Sequence, residues 1–363
     1  TGTATDLALN QAGPDRALKG EARIHAQGSQ KAGLITVEQA QIDHPQLTAN
    51  ATGTWGTGQT NLTGSLRAGD LGFLGRGFGG VLDAQVKVAD GAEGRSFDVT
   101  GTANALRVGN AQADAARAGE TRQAVQALQD GGRFTITRMQ AENPQVQVDG
   151  KGVIGGGQTA FDAQAVSKNL AFLGAGYGGS VQAGVKLRDQ GGLTHFDVTG
   201  TGTNISAGSA QLNSALRGDT TFVARGTRAG ALIRLEEARA HNGQITATAS
   251  GAYGAGQTDL RAQLEAANLG FVTSNLRGSL NGQAQVVDLP DGQRRITAEG
   301  AANGLAIGNE RVDGLLGGQT RFQLAAVQGP QGIRLERLDA RNPQVQVLAD
   351  GNPAEALNID ARL

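Results

Sequence analysis

The sequence predicts an all-β fold, a long antiparallel β-meander of ~99-residue repeats, curled into an elongated groove with an apolar interior. Three observations predict it. Short blocks recur at a fixed step: Gly58-Gln59-Thr60 returns as Gly157-Gln158-Thr159 and again as Gly256-Gln257-Thr258, a period of 99 residues. Within each period apolar residues alternate with polar ones, the pattern of strands with one apolar face. Glycine is abundant, at 57 of 363 residues, and Asp-Gly and Gly-Gly pairs separate the alternating runs where hairpin turns need them.

The landmarks follow one another in the same order in each copy. Phe73, Phe172 and Phe271 keep the step, and Phe97-Asp98-Val99-Thr100-Gly101 returns as Phe196-Asp197-Val198-Thr199-Gly200. The third copy, Ile296 to Gly300, arrives one residue late, so one residue is inserted in the loop before it. Pro45, Pro144, Gly243 and Pro343 mark a fourth landmark, each followed by Gln. The chain is therefore expected to form a single elongated repeat domain: a partial repeat over 1–49, repeats over 50–148, 149–247 and 248–347, and a partial repeat over 348–363. Starting and stopping inside a repeat, without an initiator Met, it is expected to be an internal fragment of a longer chain.

The strands can be taken in turn. Leu62 and Leu66 correspond to Phe161 and Ala165, then to Leu260 and Leu264. Val86 and Val88 become Val185 and Leu187. Phe97 and Val99 become Phe196 and Val198. Ile35 and Val37 become Phe134 and Ile136, then Ile233 and Leu235, then Ile333 and Leu335. Val146 and Val148 match Ile245 and Ala247, then Val345 and Val347. These apolar positions are the predicted lining of the groove. About six strands per repeat follow from the count of alternating runs. The phase slips by one after the second residue of one set, as in Phe134, Ile136 and then Met139, which predicts a recurring β-bulge. The Ala-rich stretch 111–129 is compatible with a short helix, but its counterpart around Gly218–Phe222 reads as strand, so it is expected to be mostly strand with a loop before it.

Composition narrows the function. With 32 basic and 33 acidic residues the net charge is −1, which lacks the basic footprint of a nucleic-acid binder. Aromatics are 4%, too few for the aromatic girdles of an outer-membrane barrel. The absence of Cys excludes disulfides and thiol chemistry. His25, His44, His195 and His241 occupy unmatched repeat positions and are expected on exposed loops or strand edges. Gly75-Arg76-Gly77-Phe78-Gly79-Gly80 imitates a dinucleotide fingerprint, but a strand pattern follows where a helix is needed, so a Gly-rich turn is expected. Asp98 and Asp197 recur on the polar face without a partner carboxylate. No catalytic, metal-ligating or cofactor-binding residues are expected, and the chain is expected not to be an enzyme.

The hairpin array, the recurring Asn-Pro-Gln-Val-Gln-Val at 143–148 and 342–347, and Asp313-Gly314-Leu315-Leu316-Gly317-Gly318 resemble the TamB family. These are inner-membrane-anchored components of the translocation and assembly module of Gram-negative bacteria, related to AsmA-like bridge proteins. The resemblance spans the chain and rests on pattern more than on sharp motifs. It implies a β-taco in the periplasm whose apolar lumen carries phospholipid between inner and outer membranes and supports outer-membrane protein assembly. It further implies an inner-membrane anchor and an outer-membrane TamA-like (Omp85-type) barrel as partner, both through parts of the parent chain not present here. No catalytic residues carry over. Two alternatives stand beside it: a chaperone-like module that binds client β-strands by edge augmentation, and a structural β-repeat of a secreted adhesin.

Overall fold

A computed structural model describes residues 1–7 and 12–362, which divide into two compact units, Thr1–Gly174 and Ala175–Leu363. The first unit contains β1 (Gly2–Thr5), α1 (Ala12–Ala17), β2 (Glu21–Lys31), β3 (Leu34–Asp43), β4 (Leu47–Trp55), β5 (Asn61–Ala68), β6 (Phe78–Gly91) and β7 (Gly94–Val108). It continues with α2 (Ala111–Ala116), β8 (Glu120–Asp130), β9 (Arg133–Glu142), β10 (Gln147–Gly155) and β11 (Gln158–Ser167). The second contains β12 (Tyr177–Gln190), β13 (Leu193–Ala207), α3 (Ala210–Ala215), β14 (Asp219–Ala229), β15 (Leu232–His241), β16 (Ile245–Tyr253), β17 (Asp259–Ala266) and β18 (Arg277–Asp288). It ends with β19 (Arg294–Ala306), α4 (Glu310–Leu315), β20 (Gln319–Gly329), β21 (Gly332–Arg341), β22 (Gln346–Asn352) and β23 (Ala356–Arg362).

The chain is all-β, an antiparallel meander. In the first unit each strand from β1 to β11 pairs with its neighbours in the chain. The same holds from β12 to β23 in the second. Six strands fill one repeat, as in β4–β9 and in β16–β21. The tight β12–β13 hairpin closes on Gln190 opposite Leu193, with Gly191 and Gly192 at φ 64° and 82°, the left-handed pair a two-residue turn demands. The β18–β19 hairpin is the looser one. It joins Asp288 to Arg294, whereas the equivalent pairs are Asp90 with Arg95 and Asp189 with Thr194, so the extra residue lies where the late third copy placed it.

The slipped apolar phase is a β-bulge. The register breaks between Gln126 and Ala127 on β8, opposite Arg138 and Ile136 of β9, and the same break recurs at Gln27/Gly28, Arg225/Gly226 and Ala325/Ala326. The extra residue restores the apolar phase, so Met139 and Ala141 face the same side as Phe134 and Ile136. Gly53, Gly152, Gly251 and Gly351 share one repeat position. A Cβ on any of them would collide with a carbonyl oxygen of the next strand, those of Asn61, Ala160, Asp259 and Ala356. Three of the four also adopt φ between 122° and 129°, so glycine is required there on two counts.

The stretch before β8 is not a loop. It is the six-residue helix α2, and α1, α3 and α4 stand at the matching places. Each of the last three copies has its own cap: Asn110 accepts from the Ala113 amide, Ser209 from Leu212 and Asn309 from Val312. Six residues are too few for a helical period to show in the sequence. A second device ties the helices to the sheet. Asn242, 6% exposed, donates through Nδ2 to the Ala215 carbonyl (2.8 Å) at the end of α3 and to the Thr220 hydroxyl (3.1 Å), while its Oδ1 accepts from Gln244 and Ile245. Asn143 and Asn342 repeat this clamp on Ala116 and Leu315. In the first copy the position is His44, whose Nε2 lies 3.1 Å from the Lys19 carbonyl and whose Nδ1 accepts from the Gln46 amide. His44 is thus matched within the repeat and buried, not an exposed edge residue as expected.

Candidate functional site

The registers place every predicted groove residue that lies in a strand on one face of its unit. In the first unit Ile35 stands opposite Trp55, Val37 opposite Gly53, Leu62 opposite Val88, and Val88 opposite Phe97. Leu66, Val86 and Val99 continue the same rows, and Phe134 and Ile136 face Ile154 and Gly152. Val148 and Phe161 join them through β10 and β11, with Val146 in the turn just ahead of β10. In the second unit Val185 faces Val198 and Leu187 faces Phe196; Ile233, Leu235, Leu260, Leu264, Ile333, Leu335 and Val347 share the apolar side, and Val345 occupies the turn before β22.

This face has three zones along the strands. At the helix end it is partly covered, although Leu74, Phe78 and Leu212 there remain exposed. Ala215 of α3, Leu269 of the 3-10 turn Leu269–Phe271, Ile245 and Ala266 form a buried cluster, with Leu264, Phe271, Val272, Leu276 and Leu280 packed on it. In the first unit Ala17, Leu18, Ala22, Ala68 and Leu71 are buried at the matching end, where the Arg16 guanidinium donates to the Leu74 carbonyl. The middle zone is made of small residues, such as Ala49, Ala51, Gly64, Ala84 and Gly101 in the first unit. At the far end large side chains return and are uncovered. Ile35, Trp55, Phe134 and Ile154 in the first unit, and Tyr253 and Ile333 in the second, are 36–47% exposed.

Two predicted groove residues lie on this face but at its helix end. Ile245 is buried under α3, and Leu264 packs against the same cluster, because the short helices and 3-10 turns close that end of the face. Of the other predicted residues, Ile35, Phe134, Leu187 and Ile333 are exposed and the rest are half-buried.

The uncovered end carries polar groups that the periodicity did not single out. Arg95 lies in the same row as Phe97 and stacks 4.8 Å from the Trp55 ring. Its Nε donates to Asp90 at 2.7 Å and its Nη2 to the Thr60 hydroxyl at 3.2 Å, while the Thr60 amide donates to the same carboxylate at 2.9 Å. The Arg95 hydrogen bond, followed by those from Thr60, holds the Asp90 carboxyl well below the usual carboxylate range. The third full repeat builds the same unit from Arg294, Asp288, Thr258 and Tyr253, with Arg294 at 2.8 Å from Asp288 and 5.7 Å from the ring. Arg294 first, then Thr258, lowers Asp288 to about 2. The repeat between them has Ile154, Asp189 and Thr194 instead, and the Thr194 hydroxyl donates to Asp189 at 2.7 Å. The step of 99 between Trp55, Ile154 and Tyr253 was the available signal for these positions.

On the opposite face Asp98 accepts from Gln126 and Asp197 pairs with Arg225 at 3.3 Å, so both recurrent acids have neutral or basic partners. Gly75–Gly77 form a turn between the 3-10 turn Leu71–Leu74 and strand β6, which Phe78, Gly79 and Gly80 open, and Gly77 is packed so tightly on Gly109 that a Cβ would clash. When the sequence is compared with models of protein families and with curated proteins, nothing matches.

Proposed function

We propose that the uncovered end of the apolar face holds the acyl chains of phospholipid, and that the chain serves as a segment of a periplasmic lipid bridge between inner and outer membranes. The carrying observation is that large apolar side chains return at two repeat positions, that of Ile35, Phe134 and Ile333 and that of Trp55, Ile154 and Tyr253, and are left 36–47% exposed, on a face defined by strand register. Contiguous exposed apolar surface on a folded protein marks an interaction site. In the first unit Ile35, Trp55, Phe134 and Ile154 carry exposures of 40, 45, 36 and 41%. Full burial of such a side chain is worth roughly 1.5–3 kcal/mol, so covering what remains exposed on these four contributes about 2–5 kcal/mol. An acyl chain supplies the cover without any directed chemistry. Arg95 and Arg294 at the rim, stacked on aromatic rings, suit the level of a headgroup. The TamB-like pattern of the repeat supports the same reading, and with it a role in outer-membrane protein assembly beside a TamA-like barrel.

Mass spectrometry of lipids bound to the purified chain tests the proposal. Phospholipid at a reproducible stoichiometry is the expected result, and a lipid-free protein from a Gram-negative envelope would sink it. Crosslinks to nascent outer-membrane proteins, without lipid on the face, would instead select capture of client β-strands.

A further inference from the structure

The concave sites of the molecule lie on the polar face, away from the surface assigned to lipid. In the second unit clefts of about 840 and 1220 Å³ open beside each other, and the first unit has one of about 560 Å³. Their walls are built from pairs of polar positions on each strand, with the apolar-row residue between them also touching the cleft at places such as Ala262, Ala284, Phe322 and Leu66. Gln263 and Glu265 line without Leu264, Asp339 and Arg341 without Ala340, and Gln41 and Asp43 without Ile42, so the clefts open on the side opposite the apolar rows.

Across this face the register builds ladders. Thr248, Gln263, Gln283, Glu299, Gln323 and Asp339 stand opposite one another through six consecutive strands. Arg261, Gln285 and Thr297 form part of a second ladder beside it. The first unit has its own in Asn50, Ser65, Gln85 and Thr100. Rungs repeat at the strand spacing of about 4.8 Å. Side-chain amides carry two donors and an acceptor. One bond within the ladder, such as Gln283 Nε2 to Glu299 Oε1 at 2.6 Å, still leaves capacity that faces the cleft. The floor is firm at one end, where Asp339, 4% exposed, is held by Arg337 at 2.9 Å and Gln346 at 3.2 Å.

We propose that these ladders bind an uncharged, hydroxyl- and amide-bearing polymer, a glycan strand lying across the β-strands. Sugar units of an extended β-linked glycan advance by about one strand spacing, so each rung meets one unit. The charge balance selects against polyanions. The two clefts of the second unit are lined by four Arg against five Asp or Glu, and that of the first by Arg67 against Asp43 and Asp83. A wholly apolar ligand would leave the ladder amides and hydroxyls without hydrogen-bond partners, whereas a glycan satisfies them and lays its C–H faces on alanines such as Ala262 and Ala284. Recognition is by hydrogen bonds alone, which predicts millimolar binding to a short oligomer that strengthens with polymer length.

The test uses the purified full chain and chitohexaose, a β-1,4-linked hexamer of N-acetylglucosamine, by saturation-transfer NMR and equilibrium dialysis at low and high salt. The expected result is binding that is insensitive to salt and falls at least fivefold in Gln263→Ala/Gln283→Ala. These side chains are on the polar surface, so unfolding temperature serves as the control, and Gln285→Ala on the neighbouring ladder provides a second, milder variant expected to act in the same direction. No binding to the wild type overturns the proposal, as does binding equal in both variants. Stronger, salt-sensitive binding of dextran sulfate would overturn it too, by making the face an anion site. Lipid content is measured in the same samples. Because the ladder residues point away from the apolar face, lipid retention and glycan binding succeed or fail separately.

Discussion

Replacing Phe134 with Arg puts the lipid reading at risk most directly. Phe134 is 36% exposed at the uncovered end of the first unit, opposite Ile154, and its ring lies 5.8 Å from that of Phe97. The folded protein loses the covered two-thirds of a phenylalanine, about 1–2 kcal/mol, and an aromatic pair worth roughly 0.5–1.5 kcal/mol. The guanidinium itself can reach water past the exposed edge, so folding survives. Under a bound acyl chain it cannot. Desolvating even a neutral polar group without a partner costs roughly 2–7 kcal/mol, and a charge costs more, which is the size of the whole apolar gain calculated for that unit. The expected outcome is a protein that melts at a lower temperature yet loses at least tenfold of the lipid bound by the first unit. Phe134→Leu separates the two effects, because it gives up the ring pair but keeps the face apolar, and should retain lipid. The assay is phospholipid quantified per mole of protein, with circular dichroism melts on the same preparations. A folded Phe134→Arg protein with wild-type lipid content would refute the reasoning.

Three further outcomes follow from particular contacts. Asn242→Ala leaves the Thr220 hydroxyl and the Ala215 carbonyl without their buried donor and should cost about 2–4 kcal/mol by denaturant unfolding, whereas His44→Asn, which installs the residue used by the other copies, should cost less than about 1 kcal/mol. Gly251→Ala should destabilise by at least about 1–3 kcal/mol, since φ is 122° and the methyl meets the Asp259 carbonyl; a neutral result in the same unfolding assay would contradict the geometry. Asp288 has its folded pKa lowered to about 2, so its contribution is fully present above the unfolded value near 4 and is lost as pH falls through about 2. Asp288→Asn should therefore melt below the wild type at pH 7 and converge with it near pH 2, as read from melting temperature against pH.

Much of the architecture was legible because the repeat compares the chain with itself. Phe97-Asp98-Val99 and its copy at Phe196 put the same face inward twice, and the slip at Met139 located a bulge that the registers reproduce at Gln126/Ala127 and its equivalents. The late third copy located the longer β18–β19 loop. The short helices stayed hidden, since six residues show no period and Ala-rich sequence serves strand and helix alike. Their capping residues, Asn110, Ser209 and Asn309, were visible only as isolated polar residues after a glycine. The site was harder. Alternation assigns a residue to a face but says nothing about what lies on top of it, so Ile245 and Phe134 looked equivalent, although α3 covers one and leaves the other open. The Arg95 and Arg294 units were missed for a related reason: a charged residue in an apolar row reads as a break in the pattern until its carboxylate is found across the hairpin and its stacked aromatic three strands away.

The three zones explain how such a face can remain uncovered. A strand that pairs only with its chain neighbours gains its hydrogen bonds locally, and stability then accumulates repeat by repeat, as in other one-dimensional arrays. The buried clusters at the helix end, tied by Asn143, Asn242 and Asn342, pack each repeat without calling on its far end. Small residues and obligate glycines in the middle let neighbouring backbones approach closely, as the blocked Cβ positions at Gly53, Gly152, Gly251 and Gly351 show. Large apolar side chains at the turn end then contribute only their half-covered surface to packing. Were they needed for folding, the helices would have to extend over them, and Ile35, Phe134 and Ile333 would be buried as Ile245 is. Because the buried clusters lie at the helix end, a ligand on the proposed face at the turn end would leave without unfolding the repeat that held it.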